Sequence, residues 1–173
     1  QVCMYHVLIE DANKIRQNYK KYLIVIPLLA VAFYGLSILI SFIIDLFIND
    51  VSINQNDIEN MILHGSAFLT FVSVVLIAPL VEELIYRKAI FNLLEKKPIW
   101  LSYLVSGICF MIPHMISSIG KFSVGDWLFM CIPYLSSGLM LCGIYHYTGK
   151  NIYASWFAHF VNNFIAFILI FAA

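Results

Sequence analysis

Two adjacent glutamates stand at the end of a long apolar run, in the sequence APLVEELIYR of residues 78–87. A single charge at the centre of a bilayer costs at least about 2.5–3.5 kcal/mol, so each needs a partner or a use. Glu83 and Arg87 are four residues apart with the glutamate first, which is the favourable order for a helical ion pair. Glu82 lies about 100° round the helix and has no cation at that spacing. The pattern predicts a structural Glu83–Arg87 pair and a free Glu82 carboxylate that could act as a general base.

The alternative for these glutamates is a surface position. Both carboxylates could lie among the lipid headgroups, beside Arg87 and Lys88, and have no chemical role. The segment by itself does not distinguish a catalytic site from a position among the headgroups. The distinction depends on the other polar residues of the apolar runs.

Three further polar side chains interrupt apolar runs: His114, and the pair His159 and Asn163, which share a helix face at a spacing of four. Taken singly, each could simply join two helices by a hydrogen bond. Together with Glu82 they suit the activation of water. Glu82 would take a proton from a water that His114 helps to hold, and His159 and Asn163 would donate hydrogen bonds to the developing oxyanion.

A metal-dependent alternative uses the same groups. Glu82, His114 and His159 could hold a divalent metal such as zinc. However, the chain has no H-E-x-x-H sequence, and the spacing of the three residues fits no compact zinc motif. We therefore favour direct activation of water, with no cofactor required.

The composition is that of a membrane protein. The 173 residues suit one domain, and 62% of them are hydrophobic against about 45–50% in soluble proteins. Charged residues make up only 12%, and the net charge of zero gives no indication of a nucleic-acid partner. The abundance of Ile, Asn and Lys resembles bacterial proteins, so we expect a multi-pass protein of a bacterial cell membrane with the lipid bilayer as its surroundings.

The apolar runs predict an all-α membrane bundle of about five to six helices. A polar N-terminal segment at 1–21 precedes a transmembrane domain at 22–173. Each run has the roughly 20 apolar residues that cross a bilayer. The predicted spans are 22–48, 61–81 with the helix continuing to 94, 98–118, 127–147 and 152–173.

Basic residues orient these spans. Of the ten Lys and Arg residues, all but Lys121 fall on one side of the predicted bundle. The N-terminus and the turns near 96 and 149 are therefore expected in the cytoplasm, and the 49–60 loop outside. At 1.5 Å per residue, Glu82 and His114 both lie about 20–25 Å from the turn at 96–97. By the same count, all four candidate catalytic residues share one layer of the cytoplasmic half.

The three motifs together resemble a known family. Glu82-Glu83-x-x-x-Arg87, Phe110-x-x-x-His114 and His159-x-x-x-Asn163 occur in that order inside hydrophobic helices. This is similar to the signature of the CAAX protease and bacteriocin-processing family, also called CPBP or Abi. These are intramembrane endopeptidases that include the type II CAAX prenyl proteases. The resemblance covers about residues 65–170, which would form the protease-like core.

The resemblance implies roles for particular residues. In the family the first Glu, the two His and the Asn form the catalytic centre, and they match Glu82, His114, His159 and Asn163. The second Glu and the Arg match Glu83 and Arg87 in a supporting role, and Phe110 belongs to the second motif. Lys88 stands where the family often has a small residue. Both metalloprotease and metal-free glutamate mechanisms have been put forward for the family.

The implied activity is cleavage of a peptide bond near the cytoplasmic face of the membrane. The substrate would be a prenylated C-terminus or a membrane-associated bacteriocin, leader or signalling peptide. An alternative on the same fold is a non-catalytic protein that binds a sensor kinase or confers bacteriocin immunity. A transporter is disfavoured, because the chain lacks inverted repeats and paired broken helices.

Overall fold

The computed structural model describes residues 4–47, 58, 60–116 and 118–172, which are helical apart from short turns. We number the main helices in chain order. They are α1 Met4–Gln17, α2 Tyr19–Asp45, α3 Ala67–Phe91, α4 Ile99–Ile116, α5 Val124–Tyr147 and α6 Ile152–Ala172.

Five of these helices, α2 to α6, are long and apolar enough to cross a membrane. The predicted all-α bundle of a multi-pass membrane protein is therefore confirmed. Within the polar segment at 1–21, α1 is a regular helix that packs against α2 and α6. The predicted external loop at 49–60 falls largely outside the described residues, and the orientation of the N-terminus stays a prediction.

Side-chain and backbone caps set two helix boundaries. α3 starts at Ala67 rather than near 61, because the hydroxyl of Ser66 accepts a hydrogen bond from the Leu69 amide and caps the helix there. α5 ends where Gly149 adopts a left-handed φ of 72°. The Lys150 amide then donates to the Tyr145 carbonyl at 2.8 Å, as in a Schellman motif. The turn predicted near 149 is confirmed, and Gly149 is the residue that ends the helix.

Small residues let α4 and α5 approach closely. An added methyl group on Gly138 of α5 would lie 3.1 Å from both the Cα and the carbonyl oxygen of Gly107 in α4. Lipid tails are as apolar as Leu, so helices in a bilayer associate through such close packing rather than through the hydrophobic effect. This crossing matters for the site because α4 carries Phe110 and His114. A buried apolar cluster alongside it includes Phe110, Leu141 and Ala158.

Substituting Gly138→Ala should destabilise the bundle by about 1–3 kcal/mol, because the backbone of α4 must move away from the new methyl group. Gly143→Ala in the same helix is the control. Among the described residues, no atom beyond the adjoining backbone of the same helix lies within 4 Å of a methyl group there, and alanine favours the helix by up to about 1 kcal/mol. Thermal unfolding in detergent micelles measures both. Equal melting temperatures for the two variants would contradict the close crossing.

Candidate active site

The backbone of α3 departs from a regular α-helix on both sides of the segment that carries the two glutamates. Two stretches of wider π-type helix, Phe71–Ile77 and Leu84–Phe91, flank the α-helical segment Ala78–Glu83. The Ala78 amide bonds to the carbonyl of Ser73, five residues earlier. The next carbonyl, that of Val74, would need an amide from residue 79, but Pro79 has no N–H.

The Asn163 side chain supplies the missing donor. Its Nδ2 donates to the Val74 carbonyl at 3.1 Å. Trp156 Nε1 donates to the Leu76 carbonyl at 3.4 Å. Trp156, His159 and Asn163 are spaced by three and four residues, so they lie on one face of α6. That face binds carbonyls of α3, because backbone groups inside a membrane need partners from the protein.

The predicted ion pair between Glu83 and Arg87 is confirmed. Arg87 Nε lies 3.1 Å from Glu83 Oε2, and both side chains are fully buried. The geometry is that of an ion pair rather than a directed hydrogen bond. Arg87 also donates to the Ser106 hydroxyl at 3.4 Å, and its guanidinium lies 5.1 Å from the centre of the Phe110 ring. These contacts hold the pair against α4.

His159 brings α6 to both glutamates. Its Nδ1 lies 3.3 Å from Glu83 Oε1. Because a carboxylate can only accept, Nδ1 carries the proton of this bond. Its other nitrogen, Nε2, lies 3.8 Å from Glu82 Oε2. That separation is too long for a direct hydrogen bond, and a polar gap of this size is one that a water molecule can bridge.

Glu82 keeps a carboxylate oxygen without a donor. Its Oε2 is buried, and among the described residues no group donates a hydrogen bond to it. The side chain as a whole is 26% exposed, in contrast to the fully buried Glu83. Of the two glutamates, Glu82 is therefore the one whose carboxylate can accept a proton from a water or a substrate.

His114 approaches the site through Phe110. Its Nδ1 donates to the Phe110 carbonyl at 2.9 Å, so in the neutral ring Nε2 is an acceptor. The Phe110 ring lies 4.8 Å from the His114 ring and 5.6 Å from the His159 ring, centre to centre. On its other side, His114 stacks on Tyr134 of α5 at 5.0 Å.

Most of the predicted site residues lie close together in the structure. Glu83 contacts Arg87 and His159 directly, and Glu82 faces His159 across 3.8 Å. His114 adjoins this cluster across the Phe110 ring. Asn163 lies one helical turn beyond His159 and binds α3 instead of a carboxylate.

The donor set for a metal is incomplete in this arrangement. Among the described residues, no three His, Cys, Asp or Glu side chains converge in a way that could hold a metal ion. Glu82 and His159 face each other, but His114 does not join them as a third ligand.

A cavity of about 590 Å³ borders the site on the Asn163 side. Among the described residues that line it are Asn163 and Val74, whereas Glu82, His114 and His159 are not. Its walls come from α2, α3, α5 and α6, and they include the polar side chains of Tyr34, Ser37, Ser41, Ser137, Asn162 and Asn163. The rest of the wall is largely apolar, and the hydroxyl and amide groups offer the hydrogen bonds that a peptide backbone needs between membrane helices.

Ser106 is a site residue that the three sequence motifs do not include. Its hydroxyl donates to the Tyr86 carbonyl at 2.7 Å and accepts from Arg87 and from Cys142. The sequence contains one indication of this position: Ser106 lies four residues before Phe110 and therefore on the same helix face. The spacing indicates a shared face, but it does not indicate that this face meets Arg87.

Comparison with known families identifies the family of the chain. The family model described as type II CAAX prenyl endopeptidase Rce1-like matches residues 64–165, which is more than half of the chain. No curated protein and no solved structure gives a match. The chain therefore belongs to the Rce1-like type II CAAX prenyl endopeptidase family, which is a family of membrane-embedded proteases. The resemblance drawn from the three motifs is confirmed.

Replacing Arg87 should be strongly destabilising, because it leaves the Glu83 carboxylate buried without its cation. We expect Arg87→Met to lower the free energy of unfolding by about 3–5 kcal/mol. Glu95→Gln is the control, since it removes an ion pair with Lys150 whose side chains are 61% and 34% exposed. That loss should stay below about 1 kcal/mol. Chemical unfolding in mixed micelles measures both, and equal losses would contradict the structural role of the buried pair.

Proposed function

We propose that the protein is an intramembrane endopeptidase in which Glu82 activates water. The observation that supports this most directly is the buried Glu82 Oε2, which receives no hydrogen bond from the described residues and faces His159 Nε2 at 3.8 Å. A carboxylate held beside an imidazole within reach of one water has the geometry of a general base.

The proposed reaction starts with a water bound between Glu82 and His159. Glu82 takes its proton while the hydroxide oxygen adds to the scissile carbonyl carbon. The oxyanion accepts a hydrogen bond from the second amide hydrogen of Asn163, and another from His159 Nε2 when that atom is protonated. The intermediate then collapses, the C–N bond breaks, and the leaving amine takes the proton from Glu82.

The remaining residues would orient these groups. Glu83 fixes the His159 ring by accepting from Nδ1, which directs Nε2 towards Glu82. The acceptor Nε2 of His114 would help to hold the water or the substrate amide. Arg87 pairs with Glu83 and holds it in place, so that Glu83 orients the His159 ring.

The substrate class that fits is a membrane-associated peptide. The cavity beside Asn163 lies between membrane helices and offers hydroxyl and amide groups to a peptide backbone. A lipid anchor would hold such a peptide at the bilayer, and a prenylated C-terminus is the substrate that the family description names. The orientation predicted from the basic residues would put cleavage near the cytoplasmic face.

Glu82→Gln should abolish cleavage, because glutamine keeps the shape and cannot take a proton. Loss of a general base typically lowers the rate by about 10²–10⁴-fold. The measurement is mass spectrometry of membrane peptides from cells that produce the wild type or the variant, followed by turnover of the identified peptide by purified protein. His114→Ala and His159→Ala should lose activity in the same assay.

Glu95→Gln is the matched control, since it neutralises a surface glutamate near the end of α3 and should leave turnover unchanged. Membrane levels of all variants must be equal. Unchanged turnover in Glu82→Gln, His114→Ala and His159→Ala together would refute the peptidase and favour a binding protein on the same fold.

Treatment with a strong zinc chelator should leave turnover unchanged if water is activated by Glu82 alone. The control is the same treatment of a zinc protease in the same micelles. Loss of activity that added zinc restores would instead show that a metal takes part, with Glu82 and His159 as the first ligands to test.

A further inference from the structure

Asp11 of α1 is a buried carboxylate that contacts two separate parts of the protease core. Its side chain is 1% exposed. Its Oδ2 lies 2.6 Å from Lys88 Nζ and accepts a hydrogen bond from the Ile152 amide at 2.9 Å. The Asp11 main-chain carbonyl accepts from Asn151 Nδ2 at 2.8 Å. Lys14 of the same helix approaches the other carboxylate oxygen at 3.2 Å.

Both partners of Asp11 Oδ2 belong to helices that carry a catalytic candidate. Lys88 directly follows Arg87 on α3, one to two turns after Glu82. Ile152 is the first residue of α6, and His159 follows seven residues later, about 10 Å along the helix. Lys88 Nζ also donates to the Lys150 carbonyl at 2.9 Å, in the turn just before α6. One carboxylate oxygen therefore links the end of α3 to the start of α6.

The distance between Glu82 and His159 depends on how α3 lies against α6. Asn163 and the Val74 carbonyl join the two helices on one side of this pair. The contacts of Asp11 and Lys88 join them on the other side. A displacement of about 1 Å between reacting groups can cost about 10²-fold in rate, so both attachments bear on the geometry of the site.

We propose that Asp11 and Lys88 are positioning residues for the reaction, and this rests on the proposed function. Asp11 acts from a helix that lies outside the region matched by the family model. It sets the spacing between the Glu82 carboxylate and the His159 ring without touching the substrate. On this proposal, the N-terminal helix α1 helps to set the geometry of the active site without contributing a group that touches the substrate.

Two substitutions separate charge from shape at this contact. Asp11→Asn keeps an oxygen that can accept from the Ile152 amide, and it removes the charge that binds Lys88. Lys88→Met removes the cation and leaves the cap on α6 intact. The control is Glu10→Gln, which changes the neighbouring carboxylate on the same helix. The Glu10 side chain is 69% exposed and pairs only with Lys14 among the described residues.

The experiment measures kcat and KM of the purified full chain on its identified peptide, with melting temperatures alongside. We expect Asp11→Asn and Lys88→Met each to lower kcat about tenfold or more with KM within twofold. The double variant should lose little beyond Lys88→Met alone, since Lys88→Met already breaks the contact with Asp11 together with the hydrogen bond to the Lys150 carbonyl. Lys88→Arg should recover most of the kcat that Lys88→Met loses. Glu10→Gln should match the wild type.

The outcomes distinguish the positioning role of Asp11 and Lys88 from the peptidase function on which it rests. Normal kcat in Asp11→Asn and Lys88→Met, beside an inactive Glu82→Gln, would overturn the positioning role alone. Lower melting temperatures with unchanged kcat would overturn it as well, because the contact would then serve only folding. A wild type without Glu82-dependent hydrolysis would overturn both proposals. If Asp11→Asn does not fold, Lys88→Met and Lys88→Arg carry the test.

Discussion

The burial of the Glu83 carboxylate is the constraint on which the site depends. A charge without a partner inside a membrane protein is costly, so both oxygens of Glu83 must be matched. Arg87 does this from the same helix, and His159 does it from α6. The second contact has a consequence for chemistry. It fixes which way the imidazole faces, and so places Nε2 opposite Glu82. A requirement of folding thereby produces the pair of groups that could activate water.

The irregular backbone of α3 has the same origin in unsatisfied polar groups. Pro79 removes one amide, the helix widens, and the Val74 carbonyl takes a hydrogen bond from Asn163 instead. The proline is thus not simply a kink. The missing amide leaves the Val74 carbonyl as an unpaired acceptor inside the bundle, and a polar side chain of another helix has to donate to it. Because Asn163 is that donor, the face of α6 that carries His159 packs against α3.

The chain outside the family match is integrated into this arrangement. α1 and α2 pack against α6, and Asp11 joins α1 to both α3 and α6. The polar contacts at this end of the bundle lie where the basic residues gather. The two ends of the α3–α6 contact are therefore secured in different ways. One side uses a side-chain amide and a freed carbonyl, and the other uses a buried ion pair and a helix cap.

The sequence by itself determined the number of spans, the Glu83–Arg87 pair, the turn near 149 and the family. These depend on local periodicity, on spacings of four residues and on motif order. The contacts of His159 with Glu83, of Asn163 with Val74 and of Asp11 with Lys88 were decided only by the tertiary structure. Each joins residues that are far apart in the chain, and no local spacing indicates which faces of two helices meet. That choice is made by packing, as at the Gly107–Gly138 crossing, and by the need to satisfy every buried charge and carbonyl at once.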